Sequence, residues 1–277
     1  LIQNLQQRGY FTVLVDYYEN PLAKGVADEH LRESTLDQEK VLEIARNLKA
    51  ELVISTCIDQ ANVTACYVAE RLGLPAPYSY ETALNVTNKA LMKRKMLDNN
   101  IPTSQYYHVH TIEDYNQHEL RFPVIIKPAD SNSSKGVRKA HNPDAVYRFL
   151  GNALKISRSH EAIIEEYKEG REIGVDCFIK DKEAAIIMTR ERRKIATSKD
   201  PIQQIYGSIW PAHISERNRN NIKKIAEKIA KAFDLDNTPI IIQTIVNGDD
   251  INVIEFSPRI GGGENFRIIE LSTGFDI

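Results

Sequence analysis

Apolar positions follow two different rhythms along this chain. In the first 75 residues, apolar positions at helical spacing alternate with short apolar runs. This predicts a helix ending at Gly9, a strand over 11–15 closing in Asp16, a helix over 38–48, a strand over 52–55 and a helix over 60–72. Gly73 suits the position just past that last helix. Short strands separated by helices imply a parallel α/β sheet. Residues 74–80 carry two prolines and read as a linker.

Beyond the linker, Thr87 is expected to cap a helix running to about residue 99, after which strands dominate. Apolar runs over 124–127, 162–166, 173–179, 184–189, 240–246 and 251–256 are mostly joined by turn residues such as those at 180–182 and 247–250. This is an antiparallel α+β rhythm. It is interrupted by one helix whose Ile222, Ile225, Ala226, Ile229, Ala230 and Phe233 form a single apolar stripe, which reads as core.

Composition narrows the classes. With 277 residues, 42% hydrophobic and 27% charged, the chain has the balance of an ordinary globular protein with one large core or two to three smaller ones. A formal net charge of −2 gives no global attraction to nucleic acid or an anionic membrane, so any phosphate must be met by local basic groups. No apolar run approaches the roughly 20 residues of a membrane span, and the first ten residues read as an amphipathic helix rather than a signal peptide. Cys57, Cys66 and Cys177 lack metal-ligand spacing and read as reduced core residues of a cytoplasmic protein. The chain starts without Met inside a helix and stops where another helix begins, so it is expected to be part of a longer protein. G-x-x-x-x-G-K-[ST], G-x-S-x-G, H-E-x-x-H and C-x-x-C are all absent, which removes the P-loop, hydrolase, zincin and redox readings.

Three stretches carry candidate chemistry. FPVIIKPADSNSSKGV delivers Lys127 at a strand end, beside a loop of small polar residues that includes Ser133 and Ser134 and closes at Gly136. A fixed ammonium beside free backbone N–H groups can cradle polyphosphate, although an ordinary hairpin turn would look the same. IIEEYKEGREIGVDCFI sets Glu165 and Glu172 around Tyr167 and Lys168, a pattern able to accept from a nucleobase amino group and from ribose hydroxyls, or to be a solvated acidic turn. IIIQTIVNGDDINVIEFSPRIGGG is a hairpin that can bring Gln243, Glu255 and Ser257 to one face, with Arg259 two residues on. Converging oxygens suit Mg²⁺, and the guanidinium suits a transferring phosphoryl group, although a strand with a polar inward face would look the same.

The order of these motifs, Lys89, Lys127, Glu165 to Glu172, and Gln243 to Arg259, resembles the ATP-grasp superfamily. The likeness leans toward the carbamoyl phosphate synthetase large chain, the L-amino-acid ligases and other carboxylate–amine ligases. It implies an α/β fold with a Rossmann-like parallel domain over 1–84, its first strand missing, followed by a two-lobed α+β ATP-grasp fold over 85–277. The small lid lobe would cover about 105–167 and the large lobe 168–277, truncated at its C-terminus.

By the same resemblance, Lys89, Lys127 and the loop residues Ser133, Ser134 and Gly136 would contact the ATP phosphates. Glu165, Tyr167 and Lys168 would meet the adenine and Glu172 the ribose. Gln243, Glu255 and Ser257 would hold two Mg²⁺ ions, with Mn²⁺ able to replace them, and Arg259 and Lys127 would act on the transferred group. Two departures stand out: Ser257 where the family usually has Asn, and a loop, SNSSKG, poor in glycine.

The implied reaction joins a small-molecule carboxylate to an amine or thiol through an acyl phosphate. A phosphotransferase acting on a hydroxyl and an ATP-binding regulator with impaired catalysis remain open. A homodimer is compatible with the family; nucleic acid and membrane partners are not expected. The basic stretch Arg190, Arg192, Arg193, Lys194 and Lys199 follows a strand and is expected either to meet a substrate carboxylate or close over the site, or to be a solvated loop. The turn over 261–267 can bring backbone near substrate, and His213 is given no chemistry.

Overall fold

At the N-terminus, α1 (Ile2–Gln7) leads into β1 (Val13–Val15), which pairs in parallel with β2 (Glu29–Leu31). The Asp28 carboxylate fixes the entry to this pair by accepting from the Thr12 amide at 2.8 Å and the Thr12 hydroxyl at 2.7 Å. In this computed structural model the described residues are 1–56, 58–117, 121–131, 134–194 and 205–277, so Cys57 lies outside them. They divide into two compact units, Leu1–Ala83 and Leu84–Ile277.

In the first unit, α2 (Gln38–Asn47) and α3 (Asp59–Leu72) pack through Val41, Leu42, Ala45, Tyr67 and Val68. Asp37 caps α2 through the Lys40 amide, and Gly73 closes α3 at φ 67°. The expected strand over 52–55 does not form. Its apolar character has another cause, since Val53 packs against the α2–α3 core without joining a ladder. Instead β2, three residues with no apolar run to announce them, supplies the partner for β1.

The helix expected after Thr87 forms as α5 (Lys89–Asp98), and a further helix, α4 (Tyr80–Thr87), precedes it. The break falls at Asn88, whose side-chain oxygen accepts from the Ala90 and Leu91 amides and outcompetes Thr87 as the cap.

The second unit contains two antiparallel sheets. The smaller has the order β3-β6-β4-β5, from β3 (Tyr106–Val109), β4 (Val124–Pro128), β5 (Arg138–Ala140) and β6 (Ala162–Glu166). One face packs Val124, Ile126, Ala162 and Ile164 against Val146, Leu150 and Ala153 of α6 (Pro143–Ile156). Its start is readable in retrospect, because Asn142 caps it and Pro143 occupies the first turn.

The larger sheet has the order β11-β10-β7-β8-β9, from β7 (Arg171–Lys180), β8 (Glu183–Lys194), β9 (Ile205–Ile209), β10 (Thr238–Asn247) and β11 (Asp250–Ser257). Between β9 and β10 lies α7 (Glu216–Ala232), which buries Ile222, Ile225, Ala226, Ile229 and Ala230 as its stripe requires and contacts β7 and β8. Each fully buried isoleucine contributes about 1.5–3 kcal/mol. The chain ends in α8 (Asn265–Thr273). Gly170 joins the two sheets at φ 145°, where an added Cβ would stand 2.6 Å from the Val246 carbonyl oxygen. Among the described residues no helix is long and apolar enough to cross a membrane.

Candidate functional site

Each sheet of the second unit has one apolar face and one face bearing charge, because strand residues alternate sides. On the small sheet, Lys127 lies opposite Ile163, and Glu165 opposite both Ile125 and Tyr106, so Lys127 and Glu165 share the face away from α6. Two ammonium groups grip the Glu165 carboxylate, Lys127 Nζ at 2.7 Å from one oxygen and Lys93 Nζ at 2.7 Å from the other. All three side chains are buried.

Burial works against the charge on Glu165, but Lys127 and then Lys93 outweigh it and hold the carboxyl at about 2. Burial likewise pushes the Lys93 ammonium down to about 8, against the pull of Glu165. Lys93 also donates to Thr103 Oγ1 at 2.7 Å, and Thr103 donates to the Val253 carbonyl at 2.8 Å, which ties this cluster to β11.

On the large sheet, Glu172, Gly174 and Asp176 of β7 alternate on one side, with Arg190 and Arg192 of β8, Gln243 of β10, and Glu255 and Ser257 of β11 in register beside them. Arg192 binds Glu172 at 3.0 Å and donates to Gln243 Oε1, while Gln243 Nε2 donates to Glu255 Oε1 at 3.1 Å. Lys194 Nζ stands 2.7 Å from the second Glu172 oxygen. Arg190 bridges Asp176 at 2.9 Å and Asn265 at 2.7 Å; burial raises the Asp176 pKa, and Arg190 opposes it. This knot leaves no room at Gly261, where an added Cβ would fall 2.3 Å from Asn265 Nδ2 and 3.0 Å from Asp176 Oδ1.

Lys89 joins the two faces. It donates to the Ser131 carbonyl at the start of the polar loop at 2.5 Å and stands 3.7 Å from Glu255 Oε2. At the loop's far end Gly136 has φ 77°, and an added Cβ would meet Pro128 at 2.8 Å and Ile156 at 2.9 Å, so glycine is required there. Ser134 is also at positive φ. Ser133 lies outside the described residues, as does Lys199.

The structure therefore brings Lys89, Lys127, Glu165 and Glu255 into one connected set, with Gln243 adjoining. Ser257 lies on the same sheet face. Arg259 donates to the Ile260 carbonyl at 2.9 Å and adds to the positive field at Asp176. The Tyr167 N–H donates to the Pro123 carbonyl at 3.1 Å, so pairing with a base edge would have to break that bond; its ring carries the Lys139 ammonium 3.4 Å from the centroid. Lys168 pairs with Glu166 at 3.2 Å.

The described part of the basic stretch is strand rather than loop. Arg190, Arg192, Arg193 and Lys194 are the continuation of β8, and every one of them pairs with a carboxylate. Lys93 and Asp176 are absent from the motif reading, and Arg190 and Arg192 enter it only as part of the basic stretch. Lys93 is signalled by its place four residues after Lys89 on one helix face, and Asp176 by its place four residues after Glu172 on one strand face.

The donor set fits a divalent cation with a polyphosphate. Glu255 offers oxygens on a partly open face, Gln243 adjoins it with an amide oxygen that accepts from Arg192, and the Lys127 ammonium is buried without a conventional hydrogen bond beyond its ion pair. The model of the ATP-grasp domain matches residues 120–266, more than half of the chain. The chain belongs to the ATP-grasp family.

Among relatives of this ATP-grasp chain, the carbamoyl phosphate synthase large chain of Agathobacter rectalis is 31% identical over 144 residues, covering 51% of this chain and 13% of that one. The L-arginine-specific L-amino acid ligase of Bacillus subtilis is 25% identical over 246 residues, covering 85% and 58%. In structure, the chain resembles the biotin carboxylase domain of Hydrogenobacter thermophilus 2-oxoglutarate carboxylase, solved with MgADP, ADP and bicarbonate, with a TM-score of 0.78 at 19% identity, covering 100% of this chain and 64% of that one. The ATP-grasp chain thus spans only part of the length of these relatives.

Proposed function

We propose that this chain is the ATP-binding part of a ligase that activates a small-molecule carboxylate as an acyl phosphate and transfers the acyl group to an amine, releasing ADP and phosphate. The observation that carries the reading is Lys89, which stands between the polar loop and Glu255 and so links a phosphate-binding edge to a metal-binding one. The ligase names and the MgADP of the relatives support the same reading.

In this account a substrate carboxylate oxygen attacks the γ-phosphorus of ATP and ADP leaves. The amine nitrogen then attacks the acyl carbon, loses a proton, and expels phosphate to give the amide. Glu255, Gln243 and Ser257 would hold Mg²⁺, which neutralises phosphate charge. Lys89 and Lys127 orient the polyphosphate, the 131–136 loop covers it from water, and Arg259 steadies the transferred phosphoryl. Glu165 and the Tyr167–Lys168 linker receive the adenine, Glu172 the ribose.

ATP arrival must loosen existing pairs, Lys127 from Glu165 and Arg192 from Gln243. The second of these favours one other reading, an ATP-binding regulator with weak catalysis, because Gln243 is neutral and its oxygen already accepts from an arginine. Phosphate release by the full-length protein, screened over pairs of carboxylates and amines, separates them. Turnover that needs both partners supports the ligase. Turnover with a hydroxyl compound alone overturns it in favour of a kinase, and tight ATP binding without turnover in any pair overturns it in favour of the regulator.

A further inference from the structure

The charged face of the small sheet continues past Lys127 to a second cluster. His108 lies opposite Ile163, on the face of Lys127, and the ring of His110, two residues later, stands 4.5 Å from that of His108. Glu161, the residue before β6, reaches both imidazoles: Oε2 is 3.4 Å from His108 Nε2, and Oε1 is 3.7 Å from His110 Nδ1. The three donor atoms all lie within 4.8 Å of one another.

We propose that His108, His110 and Glu161 form a binding site for a transition-metal ion of the Zn²⁺ type, separate from the Mg²⁺–ATP site. Ligands about 2.1 Å from a tetrahedral ion stand about 3.4 Å apart; here the two histidine–carboxylate distances are 3.4 and 3.7 Å and all three donors lie within 4.8 Å, so small side-chain shifts close the set on an ion. Two imidazoles with one carboxylate favour Zn²⁺ over Mg²⁺, which prefers an all-oxygen set.

The donors are also prearranged. His108 Nε2 is buried and makes no hydrogen bond among the described residues, and a buried polar atom without a partner calls for one. The Glu161 carboxylate is aimed by the Asn88 side-chain amide and the Ser159 hydroxyl, each donating to Oε2 at 3.2 Å. The His110 backbone is pinned by its N–H, which donates to Asp114 Oδ2 at 2.7 Å. Three protein ligands leave a fourth position for water. Since Asn88 also caps the helix that opens with Lys89, the ion ties the edge strand of the small sheet to the start of α5.

The test is a calorimetric titration of the chelator-stripped full-length protein with Zn²⁺ alone, without nucleotide, followed by the visible spectrum with Co²⁺. Wild type and Glu255→Gln are each expected to bind one equivalent and to give the intense spectrum of four-coordinate Co²⁺. His110→Ala and Glu161→Gln are expected to bind at least about tenfold more weakly. The His110 side chain is 60% exposed, so its variant keeps the melting temperature of wild type and loss of metal there is not loss of fold. Absence of saturable Zn²⁺ binding in wild type, unaltered binding in both His110→Ala and Glu161→Gln, or loss of the equivalent in Glu255→Gln would each overturn the site.

Discussion

The charged faces of the two sheets handle the same problem in opposite ways. On the small sheet two buried ammonium groups share one buried carboxylate, and the cluster is closed on itself. On the large sheet the carboxylates are spread over two strands: Glu172 and Asp176 of β7 are paired by long arginine side chains from β8, and Glu255 of β11 keeps 31% of its side chain exposed. Under the proposed function, the closed cluster would hold its cations against an internal anion until a more negative ligand arrives. The open one presents oxygens that a cation can reach. A polyphosphate with its metal needs both.

The largest effect that can break this contrast is removal of the shared anion. Glu165→Leu leaves Lys93 and Lys127 buried without a counter-ion and should cost about 3–5 kcal/mol in thermal or urea unfolding. Lys93→Met combined with Glu165→Leu should recover part of that loss, since one stranded charge is gone. Equal melting of Glu165→Leu and wild type would show the cluster to be solvated.

On the open side, Glu255→Gln should lower ATP turnover by about a hundredfold or more at nearly unchanged stability. Lys127→Ala should lower turnover comparably, with Lys93 still holding Glu165. Full activity in either variant would remove these residues from the site.

Acid titration gives a third and smaller test. The Glu165 pKa lies below its ordinary value of 4.5, near 2, so the unfolded chain binds more protons in that interval. The stability contributed by Glu165 is whole above about pH 4.5 and is lost as the pH falls toward 2. In Lys93→Met, one of the two cations that depress this pKa is missing, and the acid limb of the stability curve should move to higher pH.

The smallest change expected is at Ser257. Ser257→Asn, which restores the amide usual in the family, should lower the Mg²⁺ concentration for half-maximal turnover by about tenfold or less. A rise instead would mean that the hydroxyl is the better ligand in this setting.

What could be read in the sequence differs between the regions for physical reasons. The long strands and α7 were legible because burial on one side imposes a period, and the Gln243-x₁₁-Glu255 pairing follows from a hairpin with a short turn. The strands β2, β3, β5 and β9 were not, being three to five residues long with mixed polarity. A segment that short is fixed by its neighbour rather than by its own pattern. The run over 52–55 failed in the reverse direction, since apolar content shows burial but not the ladder that would make it a strand.

Within the candidate site, motif order singled out Lys89, Lys127, Glu165 and Glu255. It could not show that Lys127 and Glu165 bind each other or that Arg192 occupies Gln243. Those pairings depend on side chains brought together across strands and from a helix, and only Lys93, one helical turn beyond Lys89, left a spacing clue.

The central claim is that the closed cluster and the open face act together on one nucleotide, and the most direct measurement is calorimetric binding of ATP to the full-length protein with and without Mg²⁺. The account predicts that Mg²⁺ strengthens ATP binding in wild type, that Glu255→Gln abolishes this strengthening while retaining metal-free binding, and that Lys127→Ala weakens both. ATP affinity independent of Mg²⁺, or unchanged in both variants, would contradict it.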